Sequence, residues 1–232
     1  MKQNNIHQNN PWDVLHKQER FKPVYPLDHV VRFVFTYFPR NREQRKKLKL
    51  LDVGCGAGRH VVLLSQEGFQ AYGTDISLEG VRAARDWLKS ENLPALVEQA
   101  EMSVQPFHDN IFDGIICSGV LNYNTISGMK KTIAELHRIL KPLGIMAVIT
   151  RTIDDYRFGK GTKIEEHTYQ LDIDDTNEKG MIMHFLDDAE IMDFFNKFEV
   201  VSIEKTETTF SNRMKKNSDW IVILRKKDDT DL

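Results

Sequence analysis

The 232 residues are 41% hydrophobic and 28% charged with a formal net charge of −2, which suits one α/β-sized domain and gives no long-range attraction to polyanions. No apolar run approaches the ~20 residues that cross a bilayer. The opening MKQNNIHQNNPWDVLHKQER has no apolar segment with a cleavage site, so a cytoplasmic protein is expected, with nucleic acid and membrane disfavoured as partners. Cys55 and Cys117 are the only cysteines, which excludes a disulfide framework and leaves no spaced metal-ligand set, so no metal is expected.

In chain order, residues 1–47 carry ten Lys/Arg against four Asp/Glu and precede the first strong pattern. LKLLDV then reads as a strand running into a glycine turn at 54–58, with a helix over 59–67 ended by Gly68. A strand from Gln70 to Thr74 ends at Asp75, and Ser77 caps a helix with Val81, Ala84 and Leu88 on one face. A weaker strand at 96–100 and a turn-like 103–110 lead to the apolar strand FDGIIC at 112–117.

Ser127 is the predicted cap of the next helix, because Met129, Ile133, Leu136 and Leu140 recur at i, i+4, i+7 and i+11. Lys141-Pro142-Leu143-Gly144 should end it before the buried strand 145–150. Strands alternating with helices imply a parallel sheet covered on both faces. Residues 151–186 lose the periodicity and read as an inserted lid. Across 165–193 there are ten Asp/Glu and only Lys179, as on a solvated acidic face. Asp187 with Glu190 forms a capping box for a helix on which Ile191, Phe194, Phe195 and Phe198 share a face. Strand-like runs at 198–206 and 219–227 should pair antiparallel to close the domain. The first ten residues and the final DDTDL are too polar to order by themselves.

Chemistry concentrates in LLDVGCGAGRH, residues 50–60. Gly54, Gly56 and Gly58 let the backbone turn tightly and meet a ligand closely, beside a helix amino terminus with unpaired N–H groups. Asp75, ending the following strand, can accept both hydroxyl hydrogens of a ribose. Dinucleotide binders show G-x-G-x-x-G, whereas here the third-glycine slot holds Arg59.

Residues 48–150 therefore resemble the class I S-adenosylmethionine (SAM) dependent methyltransferases, and the terminal strand pair does so loosely. The resemblance implies a doubly wound, Rossmann-like sheet of seven strands, parallel except for one. It implies Asp52, Gly54, Gly56 and Gly58 around the methionine end of SAM, Asp75 on the ribose and Ile76 on the adenine. Glu101 and Met102 match the adenine-contacting pair that precedes a proline-phenylalanine turn, here Pro106-Phe107, although the family usually has Asp at the position of Glu101. Cys117, Ser118 and Gly119 match the sulfonium side, and Lys-Pro-Leu-Gly resembles the family's Lys-Pro-Gly-Gly. The whole chain is then one domain: cap 1–47, cofactor core 48–150, lid 151–186, final helix and strand pair 187–232.

SAM is an activated electrophile, so methyl transfer mainly requires an aligned nucleophile. A base is needed only for a protonated acceptor, and His167 and His184 are the candidates because a lid should cover the site. Trp12, Tyr25, Tyr123 and Tyr169 are candidate aromatic walls. The expected activity is methyl transfer from SAM to a small-molecule acceptor. The alternatives are a SAM-binding protein without turnover, methylation of RNA or protein, and a nicotinamide oxidoreductase, the last opposed by Arg59.

Overall fold

The computed structural model describes residues 10–174 and 176–228. The expected disorder of the first ten residues and of DDTDL falls, apart from Asn10 and Asp228, outside that span.

Among the described residues three short α-helices and one 3-10 turn (Glu19–Phe21) precede the sheet: α1 (Pro11–His16), α2 (Asp28–Tyr37) and α3 (Arg42–Arg45). Asn10 starts α1, its side chain accepting from Trp12 N, with proline at the first helical position where no N–H is needed. The alternating core follows as β1 (Lys49–Val53), α4 (Arg59–Gln66), β2 (Gln70–Asp75), α5 (Leu78–Ser90), β3 (Ala95–Gln99) and β4 (Phe112–Ser118). Ser77 caps α5 by accepting from Gly80 N, and Val81, Ala84 and Leu88 are buried as the spacing predicts.

The next helix, α6 (Ile126–Ile139), is capped by Thr125 and not by Ser127. Thr125 sits in the extended backbone conformation that a cap needs and accepts from Gly128 N. Ser127 already lies in the first turn. The helix ends at Ile139, ahead of the expected stop at 141–144, and the chain enters β5 (Leu140–Arg151), in which Leu143 takes a left-handed φ of 61° where the register with β4 shifts.

Residues 151–186 differ from the expectation of an unpatterned insertion. They carry an antiparallel sheet of β6 (Gly161–Glu165), β7 (Thr168–Leu171) and β8 (Ile182–His184). Strands of three to five residues are too short for a two-residue alternation to show in so charged a sequence. Behind them Arg157 joins Asp155 and Glu178 in a largely buried network.

The capping box between Asp187 and Glu190 starts α7 (Asp188–Phe194). Phe195 ends that helix and Phe198 opens β9 (Phe198–Phe210), yet both are buried with Ile191 and Phe194. β9 and β10 (Lys215–Lys226) run longer than predicted and meet through Ser211, Asn212 and Arg213, all at positive φ.

The large sheet has the order β3-β2-β1-β4-β5-β10-β9, and only β10 runs antiparallel to its neighbours. One core packs α6 and α7 on one face; the other packs α2, α4 and α5 on the opposite face. Strand order reverses between β1 and β4, so the crevice at their carboxyl ends is where an open α/β sheet takes a ligand. No helix among the described residues is long and apolar enough to cross a membrane.

Candidate active site

A cavity of about 390 Å³ opens at that crevice, within the ~300–1,000 Å³ range of small-molecule sites. Its floor is the turn after β1, where Gly54, Gly56 and Gly58 take φ of 70°, 52° and 93°. The three glycines do different things. A Cβ on Gly54 would collide with Val120 and one on Gly58 would lie 2.8 Å from Ala84 Cβ, so both are required by packing. At Gly56 it would meet His16 Cε1 at 3.0 Å, on the cavity side.

Asp75 is 7% exposed and faces the cavity from the end of β2. Its Oδ2 accepts from Gly56 N at 2.7 Å and its Oδ1 from Ser77 N at 2.8 Å. Burial pushes this carboxyl up from its usual range, opposed by the two N–H donors. Each oxygen keeps a second lone pair for a ligand.

Ile76, Glu101, Met102, Ser118 and Gly119 also border the cavity. Glu101 is exposed and accepts from Ser103 Oγ at 2.9 Å. Asn124 Nδ2 reaches Met102 Sδ at 3.1 Å, and Ser118 Oγ lies 3.3 Å from His29 Nε2. Gly119 has open space where a Cβ would stand.

Two predicted residues stand behind the wall. Asp52 is 1% exposed with Oδ2 at 3.3 Å from Nδ1 of His60, a cavity residue. His60 Nε2 accepts from Leu27 N, which leaves its proton on Nδ1, toward Asp52. Cys117 is fully buried and its thiol is pushed up to about 12 by that burial. The thiol of Cys55, on the wall itself, is likewise raised by burial, so neither is a thiolate nucleophile.

His167 and His184 do not border the cavity, which corrects their expected place beside the reacting atoms. No described residue of 151–186 does so. The covering residues come from the amino-terminal segment: Trp12, His16, Arg20, Phe21 and Pro23. Asp13 holds α1 in place, its Oδ1 accepting from Ser77 Oγ at 2.7 Å and Glu79 N at 3.3 Å. Asn10 Nδ2 adds a bond to Ile76 O at 3.3 Å. Of the candidate aromatic walls, Trp12 and Tyr123 meet edge to face at 4.7 Å on the cavity, whereas Tyr25 is 82% exposed and Tyr169 packs on Phe158 and Phe185. His16 was not anticipated; Asn10-Pro11, a helix-start pair, was the signal that could have placed it.

Residues 51–148 match the methyltransferase domain family. That stretch is a methyltransferase domain by this match. The chain is 28% identical over 151 residues to a ubiquinone biosynthesis O-methyltransferase of Rickettsia prowazekii, covering 62% of this chain and 57% of that protein. It is 32% identical over 96 residues to the mitochondrial arginine-hydroxylase NDUFAF5 of Danio rerio, covering 41% and 28%. The chain thus spans little more than half of the first relative and less of the second. Among solved structures, a SAM-dependent methyltransferase of Methanosarcina mazei superposes with a TM-score of 0.72 at 21% identity, over 85% of this chain and 98% of that one, which establishes the shared fold.

Proposed function

We propose that this chain transfers the methyl group of SAM to a small-molecule acceptor. The observation that carries the reading is the pairing of Asp75 with the Gly56 turn across one cavity, since a buried carboxylate with free lone pairs beside bare backbone suits a ribose and its attached chain. The residues present fit SAM. Asp75 would hold the ribose hydroxyls, Ile76 and Met102 would flank the adenine, and Glu101 would meet its amino group. Gly54, Gly56, Gly58, Ser118 and Gly119 would surround the methionine end. Asp52 would act through His60, and Cys117 by packing behind Ser118.

SAM, when bound, supplies a methyl group already activated on a sulfonium. The protein's part is then to align the acceptor and exclude water. Trp12, Phe21, Pro23 and Tyr123 supply apolar surface for that, and Arg20 supplies a cation. Tyr123 is fixed by donating to Glu178 Oε1 at 2.5 Å, and burial, with the Glu178 carboxylate beside it, holds its hydroxyl well above the ordinary range and so protonated. A site roofed by α1 suits an acceptor that can be enclosed, which favours a small molecule over RNA or protein.

The test is incubation with methyl-labelled SAM and fractionated extract. Label in small molecules supports the reading; label only in RNA or protein overturns the acceptor class. No transfer in the presence of SAM binding would favour a binding role.

A further inference from the structure

Outside the cavity, the small sheet meets the start of α7 at a cluster of side chains that the methyl-transfer reading does not use. His167 stands in the turn between β6 and β7, His184 ends β8, and Asp187 and Glu190 form the capping box of α7. One ligand atom each from His167, Asp187 and Glu190 can be chosen so that all lie within 4.8 Å of one another. His167 Nδ1 is 2.9 Å from Glu190 Oε2.

His184 supplies the decisive observation. Its side chain is fully buried, and its Nε2 has no hydrogen-bond partner although it lies 3.5 Å from Glu190 Oε1. Its other nitrogen, Nδ1, is 2.8 Å from Thr168 Oγ1. That hydroxyl has one hydrogen and two acceptors for it away from His184, Glu166 O at 3.1 Å and Glu165 Oε1 at 3.4 Å; with the hydrogen on that side, Nδ1 carries the imidazole proton and donates it to Thr168. Nε2 is left as a bare lone pair facing a carboxylate oxygen. Two acceptors that face each other inside a protein are stabilised by a cation between them.

We propose that His167, Asp187 and Glu190, with the buried His184 facing Glu190 from behind, form a binding site for one zinc-class divalent metal ion, pinning the small sheet to α7. One imidazole and two carboxylates, with a fourth position left for His184 or water, are a donor set that zinc accepts in tetrahedral coordination. Bonds of about 2.0–2.2 Å in that geometry place neighbouring ligand atoms about 3.3–3.6 Å apart, and the atoms of His167, Asp187 and Glu190, all within 4.8 Å of one another, reach that spacing by small side-chain shifts. Thr168 serves as the outer partner that fixes the tautomer of His184. For His167 to bind through Nδ1 its proton moves to Nε2, where Glu166 Oε1 stands 3.6 Å away. His167 and Glu190 are 20% and 21% exposed, which gives an ion access from one side.

The full chain, stripped with a chelator, should be titrated with zinc chloride by calorimetry and with cobalt(II) by visible absorption. The expected result is one ion per chain with a Kd below about 1 µM and the cobalt bands of tetrahedral coordination. Glu190→Gln keeps a capping-box residue while removing the charge, and His167→Gln is a second, partly exposed change; each should weaken zinc at least tenfold. Zinc should raise the unfolding midpoint of the parent chain and not that of Glu190→Gln. Absence of stoichiometric binding overturns the proposal. So does unchanged affinity in both variants, because the ion would then sit elsewhere, for instance on a thiol.

Discussion

Asp75 uses one lone pair on each carboxylate oxygen to fix the Gly56 and Ser77 amides, so the turn and the ribose acceptor are positioned by the same group. Asp75→Ala should weaken SAM by about 2–3 kcal/mol, the worth of two hydrogen bonds to an ionised acceptor, as read by calorimetry; unchanged affinity would misplace the ribose. Gly56→Val should abolish binding, because a β-branched residue is strained at φ 52° and its Cβ would press on His16. Retained binding in that variant would remove Gly56 from the site.

His29 gives a test by pH. Burial, with charge from His60 and Arg59, lowers its pKa to about 4 from an unfolded value of 6.5. The unfolded chain therefore binds the proton more readily between those values, and stability from neutral His29 is present above pH 6.5 and lost as pH falls toward 4. Urea unfolding at pH 7 and at pH 4.5 should show a smaller acid loss in His29→Gln than in the parent. An equal loss would mean that His29 is not held neutral. At this scale the sequence was informative where backbone conformation demanded a residue type, as at the glycines, and silent on His16 and His29, whose roles depend on contacts far along the chain.

Among the elements, α1 covers the cavity while the small sheet stands behind Tyr123 and the start of α6, where Glu165 Oε1 accepts from Ile126 N at 2.5 Å. Asp13→Ala removes the acceptor that ties α1 to the amino terminus of α5. It should speed amide exchange across residues 12–16 and weaken SAM about fivefold, or ~1 kcal/mol, the usual loss for a cap-like bond. Faster exchange with unchanged affinity would show that α1 roofs the cavity without contributing to cofactor binding. Helices α5 and α7 were legible because their apolar spacing and caps agree, α6 by its spacing, and α4 by its place after the glycine turn. The misassigned cap of α6 arose because Thr125 and Ser127 are both hydroxyl residues near the same boundary, and backbone conformation alone separates them. Helix α1 escaped notice because six residues cannot display a period, and β6 to β8 because three to five residues cannot.

For the molecule as a whole, the strand order with its reversal between β1 and β4 places the Gly54–Gly58 turn, Asp75 and Ser118 at one sheet end, although they are separated by up to 64 positions in the chain. That convergence was readable once strand and helix alternated, since parallel connections bring every strand's carboxyl end to the same side. What covers the site was not readable, because the roof over a crevice is set by tertiary docking. The domain type is also shared with a protein named for hydroxylation, so the ligand must be established by binding and not by fold. Calorimetric titration of the purified chain with SAM, S-adenosylhomocysteine and NAD decides what the cavity holds: one site should take SAM and S-adenosylhomocysteine and no NAD, and binding of NAD without SAM would overturn the methyl-transfer reading.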